Sequence, residues 1–189
     1  MWESIFSSFF LVAATEMGDK TQLLAFSLAA RFKRPGPILW GIFAATILNH
    51  ALASTVGQWV ASLVSPRDLS VFLTVTFAAF GVWTLKPDKL DEVPSQNKYG
   101  PFMTTLALFF LAEMGDKTQL ATVALAAQFQ SALLVTIGTT FGMMLTDGLA
   151  VFLGDRLSHL VQMKSIRQFG AFLFFLFAAY SAYDAFVLA

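Results

Sequence analysis

The hexapeptide Glu16-Met17-Gly18-Asp19-Lys20-Thr21 recurs as Glu113-Met114-Gly115-Asp116-Lys117-Thr118. Both copies lie near the middle of long apolar stretches, where a carboxylate or an ammonium is costly and marks function. On a helix, Glu at i, Asp at i+3 and Lys at i+4 project from one face. Glu16, Asp19 and Lys20 are therefore expected to cluster, as are Glu113, Asp116 and Lys117. Brought together, the two clusters supply four carboxylates and two ammonium groups. Hard divalent cations such as Ca2+ and Mn2+ take oxygen ligands. Glu16, Asp19, Glu113 and Asp116 offer them, with Thr21-Gln22 and Thr118-Gln119 directly following, so the residues predict one shared cation site. Gly18 and Gly115 permit close backbone approach, or a local unwinding that frees carbonyls. Cysteine is absent, which disfavours Cu(I) and removes a zinc-thiolate site. Two ions would suit the carboxylate charge, but the lysines argue for fewer.

A plainer reading makes Asp19–Lys20 and Asp116–Lys117 buried ion pairs that only lock helices together. Neighbours on a helix point about 100° apart, so pairing within a helix is better made by Glu16–Lys20 and Glu113–Lys117. A duplicated cluster is poorly explained as stapling alone. The readings also combine, with a lysine holding a carboxylate charged until a cation or proton displaces it. His50 and Asp147 occupy equivalent places further along each half; each is a candidate ligand or proton-relay group. The bland alternative for His50 is a polar gap filled together with Asn49. Tyr183-Asp184 is expected at an interface. An intramembrane aspartyl protease needs a Gly two residues before its Gly-Asp pair, where this chain has Glu16 and Glu113, so an enzyme reading is disfavoured.

The elements that must position these residues are helical. Of 189 residues, 57% are hydrophobic and 13% charged, with mean hydropathy +0.67; a soluble domain is about 25% charged, so the composition is that of a membrane protein. Net charge is zero and no basic stripe suggests nucleic acid. The N-terminus lacks the positive region of a signal peptide, so the first apolar stretch reads as a retained helix. A span needs about 20 mostly apolar residues, and six are expected, over 4–30, 37–64, 69–85, 101–129, 131–154 and 169–188. The polar segment 86–100 divides a first three-helix unit (1–85) from a second (101–189). At an offset of 97 residues the motifs coincide, and so do Gly41 with Gly138, His50 with Asp147, and Gly57 with Gly154. Phe77-Ala78-Ala79-Phe80 resembles Phe177-Ala178-Ala179-Tyr180 with a slip of three. Loops after the first, third and fifth spans hold Arg31, Lys33, Arg34, Lys86, Lys89, Lys98, Arg156, Lys164 and Arg167, against Arg67 alone on the other face. This bias predicts that those loops are cytoplasmic and both termini outside. Three helices per unit is odd, so the second unit is inverted. The fold expected is an all-α integral membrane protein with six transmembrane helices as two inverted three-helix repeats, a common transporter plan.

The doubled Glu-x-Gly-Asp-Lys-Thr motif, in a chain of this size with six expected spans, resembles the UPF0016 group, also called the GDT1 family. The similarity covers both repeats. It implies secondary transport of Mn2+ and Ca2+ in exchange for protons, with Glu16, Asp19, Glu113 and Asp116 as the cation site. Lys20, Thr21, Lys117 and Thr118 match motif places as well. The compact chain resembles a bacterial manganese exporter of the inner membrane. No cofactor is implied beyond the transported ion. The partners are a divalent metal ion, protons and the lipid bilayer, with self-association compatible. A cation channel and an exporter of a small amino or cationic solute are the competing readings. Composition and spacing by themselves give a cation transporter; manganese comes from the resemblance.

Overall fold

The computed structural model describes residues 2–86, 99–153 and 163–187, and these contain eight helices and no strand. They are α1 (Trp2–Glu16), α2 (Lys20–Phe32), α3 (Pro35–Leu63), α4 (Pro66–Thr84), α5 (Gly100–Glu113), α6 (Lys117–Phe129), α7 (Ala132–Leu153) and α8 (Met163–Val187). Three of them, α3, α7 and α8, are long and apolar enough to cross a membrane by themselves. The expected first and fourth spans are not single helices. Each is split at its motif, into α1 and α2 of 15 and 13 residues and into α5 and α6 of 14 and 13. No half reaches the length of about 20 residues that a span requires. The last helix starts at Met163, earlier than the expected 169. Most of the polar linker, with Lys89 and Lys98, lies outside the described residues, as do Arg156 and His159.

The ends of the elements follow local rules. Pro35 and Pro66 open α3 and α4, where a missing amide proton costs nothing. The Ser65 hydroxyl caps α4 by accepting from the Asp68 amide at 3.2 Å. α2 and α6 both stop at left-handed residues, Lys33 with φ 52° and Gln130 with φ 48°.

Small residues decide how the rods meet. α3 follows α5 and then α6: Gly41 faces Phe102 and Thr105, Asn49 Nδ2 donates to the Phe110 carbonyl at 3.1 Å, and Gly57 faces Val123 and Ala126. α7 follows α1 and then α2: Gly138 faces Ile5 and Ser8, Gly142 faces Phe9 and Ala13, and Gln22 Nε2 donates to the Thr146 carbonyl at 3.2 Å. In both sets the numbers rise together, so α3 runs parallel to the broken rod α5–α6, and α7 to α1–α2. Adding 97 converts the Ile5–Ser8–Gly138 contact into Phe102–Thr105–Gly41 with the halves exchanged. Where α3 crosses α7, Thr46 Oγ1 meets Met143 Sδ at 3.0 Å, two residues again 97 apart.

α4 packs against α8 through aromatic rings. Phe77 and Phe174 stack with centroids 6.4 Å apart, flanked by Phe77–Phe177 at 5.3 Å and Phe80–Phe174 at 5.7 Å. These last two pairs exchange under the offset of 97, so in space the third helices keep that offset and the slip of three suggested by the Ala-Ala pairs is not followed. Between helices in an apolar solvent, such packing rather than water exclusion holds the bundle.

One stability prediction follows from this packing. A Cβ on Gly41 would sit 2.8 Å from both the Phe102 carbonyl oxygen and Thr105 Cβ, whereas at Gly148 the nearest atom is 3.9 Å away. Gly41→Ala should lower the apparent melting temperature in detergent by several degrees, consistent with an overpacking cost of about 1–3 kcal/mol. Gly148→Ala should not. Equal melting temperatures would remove the close approach at Gly41 as a determinant of the bundle.

Candidate cation site

Each motif builds the same break. α1 ends at Glu16, Gly18 takes φ +83°, and Asp19 is extended (φ −86°, ψ 173°) ahead of Lys20, the first residue of α2. In the second copy Gly115 takes φ +76° and Asp116 is extended (φ −75°, ψ 162°) ahead of Lys117. A residue with a side chain is strained at such φ, so the glycines make the turn available. The Asp19 amide donates back to the Glu16 carbonyl at 3.0 Å and that of Asp116 to the Glu113 carbonyl at 3.1 Å. Gln22 Oε1 accepts from the Gly18 amide at 2.8 Å, and Gln119 Oε1 from the Gly115 amide at 2.7 Å. These two glutamines thus brace the breaks. Both aspartates stand at helix N-termini, where unpaired amides and the helix dipole favour negative charge.

The break corrects the single-helix geometry. Glu, Asp and Lys of one motif do not share a continuous helical face, because the helix breaks between Glu16 and Lys20. The ion pairs cross instead: Lys20 Nζ lies 2.8 Å from Asp116 Oδ1 and Lys117 Nζ 3.1 Å from Asp19 Oδ1. Their environments differ, since the Lys20 side chain is 25% exposed and that of Lys117 only 4%.

Among the described residues, the structure brings three of the four expected acids into one group. Glu16, Asp19 and Asp116 are buried, and a carboxylate oxygen from each lies within 4.8 Å of the others. Glu113 is outside that group, although its charge is near enough to be repelled by Glu16, Asp116, Asp147 and Asp19. It is fully buried, and neither of its oxygens has a hydrogen-bond partner among the described residues. Glu16 is the opposite case: Thr21 Oγ1 donates to its Oε2 at 2.7 Å and Thr118 Oγ1, from the other motif, donates to its Oε1.

His50 and Asp147, equivalent in sequence, diverge in space. Both are fully buried and neither side chain has a hydrogen-bond partner among the described residues. Asp147 lies in the field of Glu16, whereas burial alone governs His50. Asp184 at 3.5 Å from Gln128 and exposed Tyr183 stay apart from the motifs. Two contributors were not anticipated from sequence, the Thr46–Met143 contact at the crossing and the Thr146 carbonyl that holds Gln22. Their signal was available, because Thr46 and Met143 coincide at the repeat offset and Thr146 adjoins Asp147.

Ligand distances of about 2.3–2.6 Å for a Ca2+-sized ion put opposite oxygens about 4.6–5.2 Å apart. Three carboxylate oxygens within 4.8 Å can therefore share one hard cation. Two lysines poised on the same acids supply positive charge when no ion does.

The sequence model described as "Divalent cation/proton antiporter GDT1" matches residues 4–92 and 101–188. A Vibrio cholerae protein named "Putative manganese exporter" is 46% identical over 164 residues, which is 86% of this chain and 82% of that one. GDT1-like protein 3 of Arabidopsis thaliana is 28% identical over 202 residues, covering 92% and 68% of the two chains. A GDT1-like protein of Synechocystis is 28% identical over 186 residues, covering 87% and 89%. No solved structure matches this chain.

Proposed function

Since the chain belongs to the GDT1 family of divalent cation/proton antiporters, which are transporters and not enzymes, we propose that it exports Mn2+ from the cytoplasm in exchange for protons, with Ca2+ as a second cargo. The observation that carries this reading is the meeting of Glu16, Asp19 and Asp116, one acid from the first helix pair's end and one from each break, in a buried group. In the proposed cycle these carboxylates hold one ion, and Glu113 and Asp147 are within electrostatic reach of it. Thr21, Thr118, Gln22 and Gln119 shape the acids and the breaks. A name given to the Vibrio cholerae relative supports manganese as the cargo.

The proposed architecture is six spans in two inverted repeats, with α1–α2 and α5–α6 as broken first spans. The parallel register of α7 with α1–α2 and of α3 with α5–α6 supports it. α3 returns from α2 through a connection of two residues, Lys33 and Arg34, so it runs opposite to its own first span. A rod parallel to α3 is then antiparallel to α1–α2. The Lys and Arg bias of the loops supports an inner-membrane orientation with both termini outside.

Exchange follows from competition. A carboxylate must be deprotonated to ligate a metal, so ion and protons exclude each other at one site. If the site opens to each face in turn, the inward proton gradient drives the cation out. Reconstituted in liposomes, the protein should move Mn2+ against its gradient when a pH gradient is imposed, and should acidify the compartment to which Mn2+ is supplied while the opposite one becomes more alkaline. Flux that only follows the Mn2+ gradient would identify a channel. A small amine moved without any effect of Mn2+ would identify a solute exporter.

A further inference from the structure

The two motifs share the left-handed glycine, the extended aspartate and the crossed ion pairs, but differ in how their threonines are used. The Asp116 side chain caps its helix on the Thr118 amide, Asp19 makes no such cap, and the two hydroxyls are not used alike. Thr21 donates to the glutamate of its own motif at 2.7 Å. By symmetry Thr118 should donate to Glu113; it crosses the interface and donates to Glu16 instead. Glu16 therefore has both hydroxyl donors, while Glu113, equally buried, has none. The Thr21–Glu16 bond also demonstrates that a motif's threonine can reach its own glutamate five residues back across the break. The same reach is open to Thr118 and Glu113.

The breaks are also unequally covered by protein, in a matching way. Met114 is 57% exposed and Gly115 is exposed, whereas Met17 and Gly18 are half-buried. With both donors on one glutamate the other has none, and a buried carboxylate without donors is costly, so the bare glutamate competes for the pair. The element thus has two discrete arrangements of like chemistry, the requirement for a switch. We propose that Thr21 and Thr118 are positioning residues that pass as a pair between Glu16 and Glu113, and that this handover exchanges which motif is exposed. The inference rests on the antiport reading for its purpose, but not for its geometry. In the second arrangement both hydroxyls donate to Glu113, Glu16 is left bare, and the first break takes the exposure now shown by the second. Each side of the membrane would then see its own glutamate released in turn.

The chain has no cysteine, so a thiol introduced by Met17→Cys or by Met114→Cys reports on its break alone. In detergent without metal, a hydrophilic maleimide should react with the thiol at position 114 at least about tenfold faster than with that at 17, the minor arrangement being sparsely populated. Adding Glu16→Gln removes the charged acceptor and should reverse the preference; adding Glu113→Gln should preserve it. Thr118→Ser should behave as the parent, and Thr21→Val with Thr118→Val should bring the two rates together. That double variant decides the matter if Glu16→Gln does not fold. Rates that ignore all of these changes would overturn the handover while leaving Mn2+ flux intact. Reversed rates in a protein without Mn2+ flux would retain the switch and remove the antiport reading.

Discussion

Asp116→Asn should weaken Mn2+ binding by at least about a hundredfold, measured by calorimetry on the purified protein, and abolish flux. Asp116 belongs to the three-acid group and also neutralises Lys20 at 2.8 Å. The amide removes a charged ligand and leaves the Lys20 ammonium beside the remaining acids, where it repels the ion. A unit charge at about 4 Å is worth about 4 kcal/mol at an effective dielectric constant near 20, or close to a thousandfold in affinity. Glu113→Gln should cost less than about tenfold in binding, because that residue stands outside the group, yet should still stop exchange. Lys20→Met combined with Asp116→Asn removes both charges of the pair; it should restore thermal stability but not the metal. For the parent, binding should be tighter at pH 8 than at pH 6, with protons released, since lowering the pH fills the ligands with protons. If Asp116→Asn binds as the parent does, the acids are staples and the metal lies elsewhere.

Lys117→Gln should be the most damaging single lysine substitution. Its ammonium is 3.1 Å from Asp19 and only 4% exposed, so the glutamine leaves a buried carboxylate unneutralised at a cost of about 3–5 kcal/mol. Lys20 is 25% exposed, and water can compensate part of its loss. Without the Lys117 charge, protons and metal ions take over more of the neutralisation of Asp19 and Glu16. Mn2+ binding should therefore depend more steeply on pH than in the parent, and coupled flux should be lost because the tethered cation no longer resets the empty site. Lys20→Gln should show the same changes in weaker form. Flux and pH dependence equal to the parent in Lys117→Gln would remove the lysine from the cycle and leave it a structural tie.

Much of this was readable from residues. The doubled motif, its offset of 97 and the glycine inside each copy identified the acids, the repeat and a place where a helix could unwind. Apolar stretches located the outer ends of most helices to within a few positions, because each apolar run ends at proline or charge, but not the breaks that split the first and fourth spans at their motifs. The glycines at 41, 57 and 138 were legible as positions shared by the repeat, and the close helix approach that each permits came from the packing. The Ala-Ala similarity in the third helices was misleading. Local identity there favours a slip of three, but large rings, not alanines, fix how α4 meets α8.

Which groups pair was not legible. Within a motif the sequence offers Glu16, Asp19 and Lys20 to one another, and a continuous helix would have joined them. The left-handed turn at Gly18 aims Lys20 at the other copy while keeping a carboxylate oxygen of Asp19 within 4.8 Å of Glu16, so the ion pairs join residues 96 and 98 positions apart. Likewise two equal motifs predict two equal glutamates, yet only one site can sit where the rods cross. Thr118 serves Glu16, and Glu113 stays bare. The sequence by itself determined which chemistry the protein carries and that it comes in two copies, because residue type and spacing are local properties. Only the tertiary structure decided that the copies share one group unequally, because charge pairing and donor choice depend on distances across the interface between the two breaks.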